Sequence, residues 1–223
     1  MVPWLLLDQA LVPGGGELRL KQRGTEFSIM LGTNELMNSR LSGSEEALAS
    51  MACERLHGRR RPNVLIGGLG MGFTLRAALG ALGPEAQVTV AELVPAVVAW
   101  AQGPMSDLFA GCLDDPRVQI RTADVGELIE AGRALYDAIL LDVDNGPDGL
   151  SRDANGALYG FEGLGHARAA LRPGGIFGVW SSAPDAGFTA RLRKTGFAVE
   201  EVGVRANRAR RGSRHTIWLA TRR

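Results

Sequence analysis

One stretch constrains this chain more than any other: an apolar run that breaks into closely spaced glycines, Val64-Leu65-Ile66-Gly67-Gly68-Leu69-Gly70-Met71-Gly72. The apolar half fits a buried parallel strand and residues 73–82 (FTLRAALGAL) fit a helix, so the glycines fall on the strand-to-helix turn. Glycine there permits positive φ and lets a ligand press against bare backbone beside a helix N-terminus, the usual geometry of a nucleotide or nucleoside site. The register is GxGxG, carried by Gly68, Gly70 and Gly72. The dinucleotide fingerprint GxGxxG would need a small residue at the next position, where Phe73 stands.

At 223 residues the chain is long enough for one α/β domain and a short appendage, but cramped for two full domains. A formal net charge of +1 gives no electrostatic case for nucleic acid or a membrane surface as partner. Cys53 and Cys112 lack metal-ligand spacing and read as buried, reduced thiols, so no metal is expected. Residues 1–12 have an apolar centre but no basic leader and carry Asp8, which argues against a signal peptide and leaves a cytoplasmic location as the expectation.

Residues 1–42 read as a small N-terminal β appendage, with short strands at 18–21 and 27–31. A helix follows from Ser42 or Ser44 to about Leu56, with Glu45 and Glu46 near the positive end of its dipole. The arginines of residues 58–62 (GRRRP) read as a solvated link. Residues 43–223 form the second unit, in which strand and helix patterns alternate from Val64 onward, the mark of a parallel sheet covered on both faces. Further strands are expected at 88–92, 117–122, 136–142, 174–180, 197–204 and 216–220. The fourth of the seven, YDAILLD, is almost wholly apolar and so central; the last two are joined by a loop and should pair antiparallel. The expected fold class is therefore α/β and Rossmann-like: a seven-stranded, mostly parallel sheet with an antiparallel C-terminal hairpin.

Ligands of doubly wound sheets sit outside the carboxyl ends of the strands, and this chain places acids at three of them. Glu92 lies about twenty residues beyond the glycine turn, where a carboxylate accepts hydrogen bonds from ribose hydroxyls. Asp124 is placed to accept from an adenine amino group, to cap the helix that follows, or to do both. Asp142 and Asp144 follow the central strand and face the space of a transferred group. Paired carboxylates there suit binding a cationic amine or taking a proton from a nucleophile; turn formation in DNGPDG is the competing explanation. His57, His166 and His215 have no metal spacing and read as helix-surface or loop residues. Ser181 and Ser182 lie at a strand end and border the expected pocket, and the four tryptophans read as core or interface anchors.

With these residues laid out, the chain resembles the spermidine synthase (polyamine aminopropyltransferase) family on the class I S-adenosylmethionine (SAM)-dependent methyltransferase fold. The resemblance runs from about Leu36 to Trp180 and rests on residues 64–72, 113–118 (LDDPRV), 136–142, 158–161 and 171–177 (LRPGGIF). It implies that Glu92 binds the ribose and Asp124 the adenine of a SAM-type nucleoside, with SAM or decarboxylated SAM as co-substrate, and that a homodimer is possible. The departures fall on the polyamine side. Gly70 stands where the family's glycine loop carries an aspartate, Asn145 aligns with its amine-deprotonating aspartate, and Leu48-Ala49-Ser50 replaces its tyrosine-histidine-glutamate cluster.

The sequence therefore predicts a SAM-dependent transferase acting on a small-molecule acceptor. Its nucleoside pocket is lined by Gly68, Gly70, Gly72, Glu92 and Asp124, and Asp142 and Asp144 face the acceptor. Methyl transfer is favoured, because the retained residues serve the nucleoside and the lost ones the polyamine. The alternatives are aminopropyl transfer from decarboxylated SAM with Asp144 as a displaced base, and a noncatalytic nucleoside-binding protein.

Overall fold

The computed structural model describes residues 2–13, 15–143, 147, 157–207 and 212–223, which build two sheets. The first is antiparallel, in the order β1 (Leu5–Leu11), β2 (Glu17–Arg23), β3 (Glu26–Leu31), β4 (Asn34–Asn38). Only β2 and β3 were legible in the sequence. The positions of β1 are exposed almost throughout and those of β4 are mixed, so neither shows the apolar-polar alternation of a half-buried strand. Leu18, Leu20, Phe27 and Ile29 of β2 and β3 enter the same apolar cluster as Val64 and Ile66 of the second sheet and Leu75 of the helix that follows, so the appendage is packed onto the main body.

The second sheet runs β10-β11-β9-β8-β5-β6-β7. Its strands are β5 (Asn63–Gly67), β6 (Gln87–Glu92), β7 (Val118–Thr122), β8 (Tyr136–Leu141), β9 (Leu171–Ser181), β10 (Phe197–Arg205) and β11 (Arg214–Arg222). The pairs among β5 to β9 are parallel, while β11 pairs antiparallel with both β9 and β10, as expected of the terminal hairpin. All six residues of β8 are buried, in keeping with its central place. The chain builds outward from β5 to β7 and then returns to lay β8 against the other edge of β5, so the strand order reverses between β5 and β8. That switch point opens a crevice at the carboxyl ends of these two strands.

The helices are α1 (Gly43–Glu54), α2 (Phe73–Ala81), α3 (Pro95–Gln102), α4 (Ser106–Phe109), α5 (Val125–Ala131), α6 (Phe161–Ala170) and α7 (Ala186–Lys194). Their starts follow local chemistry. Pro95 occupies the first turn of α3, and Asp185 caps α7 by accepting from Phe188 N at 2.9 Å.

Two arginine clips fix the sheet away from the crevice. The guanidinium of Arg117 grips the Asp115 carboxylate at 2.7 and 2.9 Å and donates to the Leu79 and Leu82 carbonyls at the end of α2, so LDDPRV staples a helix C-terminus to the strand behind it. Arg59 is not part of a solvated link: with Arg172 it clamps the buried carboxylate of Asp137, at 2.6 and 2.8 Å. Arg61 of the same run is exposed, as expected. Among the described residues no helix is long and apolar enough to cross a membrane, and no group of His, Cys, Asp or Glu has the arrangement of a metal site.

Candidate functional site

The glycine turn takes the geometry its sequence demands. Gly68, Gly70 and Gly72 all have positive φ, at 90°, 50° and 76°. A Cβ on Gly72 would lie 2.5 Å from the Phe109 ring, and one on Gly68 2.5 Å from the Asp142 carbonyl oxygen. Those two glycines are required by close approach. Gly70 instead faces Met37 of β4, whose sulfur would lie 3.1 Å from a Cβ there. Met37 thus borders the space in which an aspartate at position 70 would stand.

Two adjoining cavities open at this end of the sheet. The first is walled on one side by Val12, Leu31 and Leu36 of the appendage and on the other by Gly68, Glu92, Val94, Asp124 and Asp142. Its apolar walls with acids at strand ends suit the flat base and polar sugar of a nucleoside. The second is lined by Met37, Asn38, Glu45, Phe73, Asp142 and Trp180, among others. Leu36, Met37, Gly70 and Asp142 line both, so Asp142 stands at the junction.

The acids of the first cavity have structural duties as well. Glu92 is 8% exposed, and its two oxygens accept from Leu69 N at 3.0 Å and Val94 N at 2.8 Å. It therefore ties the glycine turn to the loop after β6. Burial pushes its carboxyl above the ordinary value, and these backbone amides oppose that rise. Each oxygen keeps lone-pair capacity for a sugar hydroxyl. Asp124 caps α5 through Gly126 N at 2.8 Å while lining the cavity, so capping and site placement coexist in one side chain.

Asp142 accepts from the Thr74 hydroxyl at 2.6 Å. Desolvation raises its pKa, and the Thr74 hydrogen bond pulls the other way. Asp144, expected beside it, and Asn145 lie outside the described residues. The partner the structure supplies to Asp142 is a different acid. Glu45, in the first turn of α1, lines the second cavity, and burial together with the Asp142 charge pushes its pKa up to about 7. Ser44 donates to Glu45 at 2.7 Å and lies 2.9 Å from His215 Nδ1. His215 is a strand residue of β11, not a loop or helix-surface one, and its ring meets Trp180 edge-on at 4.8 Å. Trp180 lines a cavity wall instead of serving only as an anchor. At the end of β9 Ser181 accepts from Ala183 N at 3.3 Å, a local turn contact.

Glu45, Thr74, Met37 and Trp180 were not legible as site residues. The only local signal at Glu45 was an acid in a first helical turn, which the helix dipole explains by itself.

This strand order, with a glycine turn at the switch point and an antiparallel terminal hairpin, defines a Rossmann-like class I fold. In fold the chain is similar to spermidine synthases, and in sequence to polyamine aminopropyltransferases. The spermidine synthase of Thermotoga maritima superposes with a TM-score of 0.76 at 18% identity, covering 98% of this chain and 73% of that one. A spermidine synthase in complex with the transition-state analogue AdoDATO gives 0.75 at 18% identity, covering 98% and 72%. A probable spermidine synthase from Corynebacterium glutamicum gives 0.67 at 15% identity, covering 97% and 80%. In sequence, 146 residues are 34% identical to a polyamine aminopropyltransferase of Mycobacterium tuberculosis, over 61% of this chain and 27% of the relative. Polyamine aminopropyltransferase 2 of Pseudomonas aeruginosa is 34% identical over 129 residues, 55% of this chain and 34% of its own. The chain thus spans 27% and 34% of the length of these two curated relatives. No protein-family model matches.

Proposed function

We propose that the chain is a transferase that binds decarboxylated SAM in the first cavity and transfers its aminopropyl group to a primary amine. The observation that carries this reading is the second cavity: it adjoins the first at Asp142 and is lined by two carboxylates, Glu45 and Asp142, with no cationic side chain among the described lining residues. Such a space attracts ammonium groups and repels carboxylates. Decarboxylated SAM carries only an ammonium beyond its sulfonium, whereas the α-carboxylate of SAM would find no partner there.

Similarity to polyamine aminopropyltransferases supports the same choice over methyl transfer, which was favoured from sequence because the polyamine residues looked lost. That inference counted aligned positions only; an acid from a different position, Glu45, supplies charge in the same space. Gly68 and Gly70 cradle the nucleoside, with Glu92 on the ribose and Asp124 on the adenine, while Gly72, expected beside them, packs against the Phe109 ring and supports the turn from behind. The reaction is displacement at the carbon next to the sulfonium, accelerated mainly by holding the nucleophile in line. The appendage, residues 1–42, serves as the outer wall of the nucleoside cavity through Val12, Leu31, Leu36 and Met37.

Calorimetry with decarboxylated SAM, SAM and methylthioadenosine tests the proposal. Decarboxylated SAM should bind at least tenfold more tightly than SAM. A preference for SAM returns the reading to methyl transfer, and binding of none of the three removes the nucleoside assignment.

A further inference from the structure

Displacement by an amine requires a proton acceptor, because a primary amine with a pKa near 10 is mostly protonated at neutral pH. We propose that Glu45 is that acceptor, and that Ser44 and His215 are positioning residues that hold its carboxylate at the second cavity. The proposal rests on the aminopropyl-transfer reading above.

The geometry is a chain of contacts drawn from five elements. Ser44 is fully buried at the start of α1; its hydroxyl donates to Glu45 Oε2 at 2.7 Å, which leaves its oxygen to accept from His215 Nδ1 at 2.9 Å. This order of donors assigns His215 the neutral tautomer with its proton on Nδ1, consistent with the burial that lowers its pKa. Trp180 of β9 fixes the imidazole edge-on. Thr74 of α2 bonds the carboxylate of Asp142, at the end of β8, at 2.6 Å. The groups facing Glu45 are therefore Ser44 and Glu46 on its own helix, Asn38 from β4, Thr74 from α2, Asp142 beyond β8, Trp180 from β9 and His215 from β11.

A second observation points to a ligand. Trp180 is only 8% exposed and lines the same cavity, yet its indole Nε1 has no hydrogen-bond partner among the described residues. A buried N–H left without an acceptor, on the wall of a cavity that two carboxylates also line, marks that cavity as a place for a polar ligand.

The step balances. The ammonium passes one proton to the Glu45 carboxylate and becomes a neutral amine. The nitrogen lone pair forms the new C–N bond, the C–S bond breaks with its electron pair going to sulfur, and the sulfonium becomes a neutral thioether. The product leaves as an ammonium and Glu45 returns its proton to solvent. A carboxylate titrating near neutrality is suited to this exchange, since it is largely ionised at pH 7.5 yet basic enough to take the proton.

The test uses the whole chain with decarboxylated SAM and 1,4-diaminobutane. Glu45→Gln should lower kcat by about 100-fold or more, with the affinity for methylthioadenosine within twofold of wild type. The acid limb of kcat/KM, with an apparent pKa near 7 for the Glu45–Asp142 pair, should vanish in Glu45→Gln. In Ser44→Ala the limb should move to higher pH, since the Ser44 hydrogen bond favours the charged form. Carbon-13 NMR of glutamate-labelled protein gives a readout independent of turnover: one carboxyl midpoint near 7, absent from Glu45→Gln. If the wild type transfers normally and Glu45→Gln stays within threefold with its acid limb kept, the role of Glu45 is overturned alone. If the wild type binds the nucleoside but transfers to no primary amine, the aminopropyl reading falls first and the role of Glu45 falls with it.

Discussion

Gly68 and Asp142 are in backbone contact across the switch point: a Cβ on Gly68 would lie 2.5 Å from the Asp142 carbonyl oxygen. The end of β5 and the end of β8 can therefore approach closely only if position 68 has no side chain. This approach brings the glycine turn, which faces the first cavity, beside the acid shared with the second.

Gly68→Ala should accordingly do two things at once. The residue is held at φ 90°, costly for any L side chain, and the clash is with backbone that cannot rotate away. A stability loss of about 1–3 kcal/mol is expected by urea unfolding, with affinity for methylthioadenosine reduced at least tenfold by calorimetry. Wild-type stability and affinity together would show that the loop adapts and that the contact is incidental.

Glu92 serves the turn and, in the proposed site, the ribose. Glu92→Gln keeps the shape but offers one acceptor oxygen where two backbone amides, of Leu69 and Val94, now find one each. The variant should lose about 1–3 kcal/mol, the cost of an unsatisfied buried donor, and should bind methylthioadenosine at least tenfold more weakly. Glu92→Ala should abolish nucleoside binding. Retention of full affinity in a folded Glu92→Ala protein would remove the ribose role.

The Asp115–Arg117 clip predicts a specific acid sensitivity. Hydrogen bonds from Arg117 hold the Asp115 carboxyl down at about 2, against an ordinary value of 3.8. A carboxyl depressed in the folded state stabilises fully above its ordinary pKa and loses that contribution as pH falls through its folded value. Asp115→Asn should be less stable than wild type at pH 7, and the two urea midpoints should converge as pH drops from about 4 toward about 2. Parallel midpoints across that range would mean the clip does not couple to folding.

The central strand, the glycine turn and the helices after it were legible because each is written locally: an apolar run, glycines at fixed spacing, and periodic helices with a cap such as Asp124. The terminal hairpin was legible for the same reason, two strand patterns with no helix between them. The appendage was read at half its strands, because β1 and β4 are edge strands of a small sheet and carry no burial pattern.

The acids show where local information ends. Chain order alone placed Glu92, Asp124 and Asp142 at strand ends, since a parallel sheet puts all those ends on one side. It did not reveal that Glu92 spends its carboxylate on Leu69 and Val94, nor that Arg59 and Arg172 converge on Asp137 at the opposite end of the sheet. It also could not pair Glu45 with Asp142, or tie Ser44 to His215, 171 residues further along the chain. The sequence by itself determined the fold and the gathering of the glycine turn and the strand-end acids on one side of the sheet, because periodicity and turn chemistry act over a few residues. The charge and hydrogen bonding of the second cavity were decided only when packing brought α1, α2, β8, β9 and β11 around it, because distances between side chains remote in sequence are set by tertiary packing.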